Sequence, residues 1–157
     1  MQPGSHDQSA AAASSDSPEL NRWKGYLIKT YADNPFVNLM QMDIADIGPG
    51  KAVITMPVAR EIHTNLYGVA HGGALAALAD TAMGIACATL KRRVVTLELN
   101  LNYIKAAAVQ AALQATATVI HNGSRTIVAE CDIADGSQAL LIKARATFFV
   151  IGQFEGV

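Results

Sequence analysis

The chain has 157 residues, the length of one domain on the usual expectation of about 100–200 residues per domain. Hydrophobic residues make up 51% and charged residues 16%, which supplies a core and excludes a chain kept disordered by its own charge. Twelve Lys plus Arg against thirteen Asp plus Glu leave a net charge of −1, which argues against nucleic acid as the main partner, because phosphate binding needs a basic face.

Residues 1–17 are small, polar and without periodicity, and a disordered tail is expected there, followed by a single domain over 18–157. Ser17-Pro18-Glu19 is a helix start: an N-cap, a proline at the first helical position and an acid in the first turn. A helix from Pro18 to Ala32 puts Leu20, Trp23, Leu27 and Tyr31 on one stripe, and Asn34-Pro35 ends it. Phe36 to Ile47 and Lys51 to Val58 read as strands about the turn Gly48-Pro49-Gly50. An irregular loop from Ala59 to Ala70 precedes a long apolar helix. Four further strands are expected at Val94–Lys105, Ala111–His121, Arg125–Ala134 and Gln138–Ile151, with Asn122-Gly123 and Asp135-Gly136 as two-residue hairpin turns.

The apolar stretch Gly72 to Leu90, followed by Lys91-Arg92-Arg93, imitates a transmembrane span in length and flank. It is built mostly of Ala, Gly and Thr, however, and Asp80 near its middle would cost about 2.5–3.5 kcal/mol on insertion scales. A helix buried in a protein explains the pattern better, and no membrane partner is expected. Consecutive strands with short turns favour an antiparallel sheet, so the fold class is α+β, one six-stranded sheet wrapped around one central helix. Six strands cannot shield so apolar a helix alone, and self-association follows. Cys87 and Cys131 form no C-x-x-C and have no clustered His, which points away from disulfides and structural zinc and towards a reducing cytoplasm. No basic region followed by an apolar run opens the chain, so no secretory leader is expected.

The chemistry-bearing stretch is Asn65-Leu66-Tyr67-Gly68-Val69-Ala70-His71-Gly72-Gly73, running into Asp80. His71-Gly72-Gly73 stands where loop becomes helix, and free N–H groups there, with the positive dipole end, favour developing negative charge. Asp80 lies among Leu78, Ala79, Ala82 and Met83 without a nearby cation, which suits a general base or nucleophile. The alternatives are a structural Asp bonded to a neighbour such as Thr81, close packing at the glycines, a helix-capping His71 and a turn-forming Asn65. Gly72 and Asp80 are eight positions apart, about 12 Å along a helix, too far for one carbonyl to touch both. Joint action therefore requires two antiparallel helices across a dimer two-fold.

The pattern N-x-x-G-x-x-H-G-G, with Asp seven residues on, resembles the hotdog-fold thioesterases of the phenylacetate-pathway (PaaI-type) branch, over Phe36 to Val150. The resemblance implies hydrolysis of acyl-coenzyme A and a homodimer, usually paired into a homotetramer. It makes Asp80 the catalytic carboxylate and the Gly72 amide the polariser of the thioester carbonyl. Asn65 would orient water or the leaving thiolate, His71 would support the oxyanion end, and Thr96 would stand near the nucleophilic water. Gly73 and the hairpin Asn122-Gly123-Ser124-Arg125-Thr126 would bind substrate, Arg125 as a phosphate contact. No metal or redox cofactor is implied; coenzyme A is part of the substrate. Lys91-Arg92-Arg93 is read as a cap on the helix C-terminus. A non-catalytic acyl-CoA binder or sensor is the competing class, and a hotdog hydratase or dehydratase a third.

Overall fold

The computed structural model describes residues 17–155. The expected tail therefore lies outside the described residues except for Ser17, whose hydroxyl accepts from the Leu20 N–H and caps α1 (Pro18–Ala32). Trp23 and Leu27 are the residues α1 buries. Phe36 to Leu39 is not strand. Asn34 caps a second short helix, α2 (Pro35–Leu39), through its side-chain oxygen, with Pro35 at the first helical position. The dipeptide that ends one helix starts the next.

The sheet then begins with β1 (Asp43–Gly48) and β2 (Lys51–Pro57). Pro49-Gly50 joins them as a two-residue turn, with Gly50 at φ +68° where a side chain would be strained. Within the loop expected from Ala59 to Ala70 lies one helical turn, α3 (Arg60–His63). The central helix α4 (Gly72–Thr89) follows, and then β3 (Arg92–Tyr103), β4 (Ala112–Asn122), β5 (Thr126–Ala134) and β6 (Leu140–Gln153). All pairings are antiparallel in the order β1-β2-β4-β5-β6-β3, and α4 packs against one face of that sheet. This is the hotdog arrangement.

Two of the expected tight turns are longer than two residues. Between β4 and β5 the Gly123 N–H donates to the Thr126 carbonyl, closing a three-residue loop. Between β5 and β6 the Asp135 carboxylate accepts from the Ser137 and Ala139 N–H groups, and Gln138 rather than Gly136 takes the positive φ.

Ala79, Ala82, Met83, Ala86 and Cys87 on α4 are fully buried, so small side chains let the helix lie close to the sheet. Its length and composition would suit a membrane, but here its side chains are packed against β2 to β6. The far end is pinned by Thr89, whose hydroxyl accepts from the Gly50 N–H at 2.8 Å and whose carbonyl accepts from the Trp23 indole. Lys91 adopts φ +59° just past the helix, bonds Glu19 and lies over Trp23. Of the three basic residues, only Lys91 serves the helix end; Arg92 and Arg93 already belong to β3.

Candidate active site

The start of α4 has one free donor. His71 is the N-cap: its Nδ1 accepts from the Gly73 N–H at 2.9 Å, and its carbonyl accepts from Ala74 and Leu75. Among the described residues no acceptor takes the Gly72 N–H. A Cβ on Gly73 would stand 3.0 Å from His71 Nδ1, so glycine there keeps the cap closed. Two residues not anticipated from sequence hold this end. Tyr103 donates its hydroxyl to the Gly72 carbonyl at 2.9 Å. His63, fully buried, accepts from the Ala59 N–H through Nδ1 and donates from Nε2 to the Met40 carbonyl, while its own carbonyl accepts from the His71 N–H.

Asn65 spends its side-chain oxygen within the loop, accepting from the Tyr67 N–H at 2.9 Å and the Val69 N–H at 3.4 Å. Only its side-chain NH2 is left to face a substrate.

Asp80 is half-buried rather than fully buried. Its carboxylate accepts from the Thr96 hydroxyl at 2.7 Å, not from Thr81. A bulge in β3 makes this contact compatible with the one at Gly72. Thr96 pairs with Phe148 and Glu98 with Thr147, so Leu97 is the extra residue. Thr96 and Tyr103 are an odd number of positions apart and would point to opposite faces of a regular strand. With the bulge, both reach α4.

A cavity of about 340 Å³ opens beside Asp80. Asp80, Thr81 and Gly84 form its helical wall, Phe36, Val37 and Phe148 its apolar part, and Arg92 and Arg93 one end. The β4–β5 hairpin neighbours that end: Val150, which pairs with Val94, donates its N–H to the Arg125 carbonyl. Arg125, Asn122 and Ser124 are exposed there, with Gly123 and Thr126 half-buried. The structure thus gathers Asp80, Thr96 and the hairpin at one end, and Asn65, His71, Gly72 and Gly73 at the other. About 12 Å of helix separates the two groups within one protomer. Among the described residues, no group of three or more His, Cys, Asp or Glu could hold a metal ion. Burial pushes the Cys87 and Cys131 thiols up to about 12, so neither is an activated nucleophile.

Residues 67–142 match the Thioesterase superfamily, which defines the class of protein to which this sheet and helix belong. The acyl-coenzyme A thioesterase PaaI of Escherichia coli is 30% identical over 122 residues, 78% of this chain and 86% of that protein. Its structure superposes with a TM-score of 0.80 at 27% identity, covering 85% of this chain and 96% of that one. A hypothetical thioesterase of Streptococcus pneumoniae, solved with coenzyme A, is similar at TM-score 0.70 and 33% identity over 73% of this chain and 91% of its own. That protein has also been solved with alanine replacing an aspartate and, separately, a threonine sixteen positions later, the spacing of Asp80 and Thr96. The chain belongs to the PaaI-type branch of the hotdog-fold thioesterases and is a thioester hydrolase.

Proposed function

We propose that the protein hydrolyses an acyl-coenzyme A thioester, with an aryl-acetyl or medium-chain acyl group, to the free acid and coenzyme A. The observation that carries this reading is the Thr96-bonded Asp80 carboxylate in the wall of a largely apolar cavity that Arg92 and Arg93 also line. The cavity suits an acyl chain, and the arginines with Arg125 suit the phosphates of coenzyme A.

In this mechanism Asp80 takes a proton from water as the water oxygen attacks the thioester carbonyl carbon. The carbonyl oxygen gains the negative charge and accepts the Gly72 N–H. Collapse breaks the carbon–sulfur bond, and the proton held by Asp80 passes to the departing thiolate. If Asp80 instead attacks directly, its carboxylate oxygen bonds the carbonyl carbon, the carbon–sulfur bond breaks to release coenzyme A thiolate, and water then cleaves the mixed anhydride to the free acid and the Asp80 carboxylate, the proton it gives up passing to the thiolate. Asn65 orients water or thiolate through its free NH2, His71 fixes the amide end, and Thr96 holds Asp80. Gly73, Asn122, Gly123, Ser124, Arg125 and Thr126 contribute to the coenzyme A tail. The chemistry draws on water and on no metal or redox cofactor.

Because 12 Å is too far for one carbonyl, the amide and the carboxylate act from different protomers of a homodimer. The outer strand β3 supports that assembly: it is twelve residues long, unpaired on one side, and exposes Val95, Leu97 and Tyr103. Pairing of two dimers into a homotetramer and a cytoplasmic setting complete the reading.

Thiol release from a panel of aryl and linear acyl-CoAs tests it, using wild type beside Asp80→Asn. Turnover that falls by about 10²-fold or more in the variant, with fold and assembly kept, is expected for a lost base or nucleophile. If nothing turns over while acyl-CoA still raises Tm, the protein is an acyl-CoA binder on this scaffold.

A further inference from the structure

The central helix carries a glycine that its own structure does not call for. Gly84 lies inside α4, where glycine weakens a helix relative to alanine because its backbone has more freedom to lose. Its φ is not positive, so no left-handed turn requires it. A Cβ built there meets nothing within 4 Å, so no close approach requires it either. The other two glycines of α4 differ in this respect. Cβ atoms at Gly72 and Gly73 would stand 3.4 Å from the Tyr103 ring and 3.0 Å from His71 Nδ1.

What a methyl at position 84 would occupy is the cavity beside Asp80. Gly84 follows Asp80 by four residues, so it stands one turn, about 6 Å, further along the same helical wall. Ala76 and Ala77, equally half-buried on α4, carry the methyl that Gly84 lacks, and neither lines this cavity. Phe36, Val37 and Phe148 line it with apolar surface that suits a hydrocarbon. The amides of a pantetheine arm would need hydrogen-bond partners that those three side chains lack.

We propose that Gly84 is a specificity-determining residue: its missing side chain leaves the space in which the acyl group, bonded to a carbonyl carbon held at Asp80, extends one turn past that carboxylate. Acyl groups of that reach, such as phenylacetyl or hexanoyl, use the space, and acetyl does not extend into it. This rests on the thioesterase reading above, with Asp80 at the reacting carbon.

Gly84→Ala tests the proposal, with stability and specificity read on the same protein. The new methyl should raise Tm by about 2–3 °C, as expected for a helical glycine with no packing role. It should also lower kcat/KM for phenylacetyl- and hexanoyl-CoA relative to acetyl-CoA by about tenfold, the scale of one methylene in an apolar pocket. Gly84→Val, with more carbon in the same space, should lower that ratio further. A lower Tm, or a changed oligomer on sizing, would mean that protein fills the space in the assembly, and would overturn the proposal. A raised Tm with an unchanged ratio overturns it as well, and so does an equal fall for all three substrates, which would put the pantetheine arm at Gly84. If wild type turns over no acyl-CoA, the thioesterase reading fails. Calorimetric Kd values for phenylacetyl- and acetyl-CoA then decide the matter: a ratio that shifts by about tenfold in Gly84→Ala supports the acyl space, and an unchanged ratio overturns it.

Discussion

Replacing His63 with leucine measures how the start of α4 is held. Leucine fills much of the imidazole's space but leaves the Ala59 N–H and the Met40 carbonyl without the partners that His63 gives them at 3.0 and 2.9 Å. Each buried group left unpaired costs about 1–3 kcal/mol, and because Ala59 and Met40 are only half-buried the pair should cost about 2–4 kcal/mol. For a chain of this size each kcal/mol moves Tm by about 3 °C, so His63→Leu should melt about 6–12 °C below wild type. His63→Gln keeps an acceptor and a donor and should lose about half as much. Circular dichroism melts of the three proteins are sufficient. A leucine variant within about 2 °C of wild type would refute the claim that this buried imidazole fastens the loop to the helix.

Two further outcomes follow from local geometry. In Gly123→Ala the new Cβ would stand 2.7 Å from His121 Nε2 and 2.8 Å from the Thr126 carbonyl, so backbone has to shift; steady-state kinetics should show KM for acyl-CoA raised several-fold with kcat little changed. Burial holds the Cys87, Cys131 and Tyr31 protons up to about 12, against 9.0 for a thiol and 10.0 for a phenol in the unfolded chain. Raised values favour the folded state while these groups stay protonated, so this stability is complete below pH 9 and is lost as pH rises from 9 towards 12. Urea midpoints that fall across that range, with thiols unreactive to a disulfide reagent at about pH 8 until urea unfolds the chain, are the expected result.

The helices were legible in the sequence wherever a cap and a period agreed. Ser17-Pro18 and the stripe through Trp23 and Leu27 mark α1 at its observed bounds, and His71-Gly72-Gly73 marks the start of α4. Phe36 to Leu39 reads as strand but is helix, because Asn34-Pro35 signals an end and a start with the same two residues. The hairpins after Asn122 and Asp135 follow side-chain and carbonyl bonds that no dipeptide rule contains. Within the site, the motif from Asn65 to Asp80 is local and so was visible. Tyr103 and His63 were not, since their partners depend on how distant elements pack. The bulge at Leu97 is likewise a property of the β3–β6 register and not of either strand alone.

The central claim is that one site draws its carboxylate and its amide donor from two protomers, and mixed dimers test it most directly. Gly72→Pro is suited to the purpose. Proline is tolerated at the first helical position, and His71, at φ −68° and ψ 134°, already has the conformation that precedes proline. The substitution therefore removes the N–H while respecting the helix start. Homodimers of Gly72→Pro and of Asp80→Asn should both lose thiol release. Dimers carrying one of each, isolated through two different tags, hold one site with both groups intact and should recover about half of the wild-type rate. Mixed dimers as inactive as their parents would contradict a site shared across the two-fold.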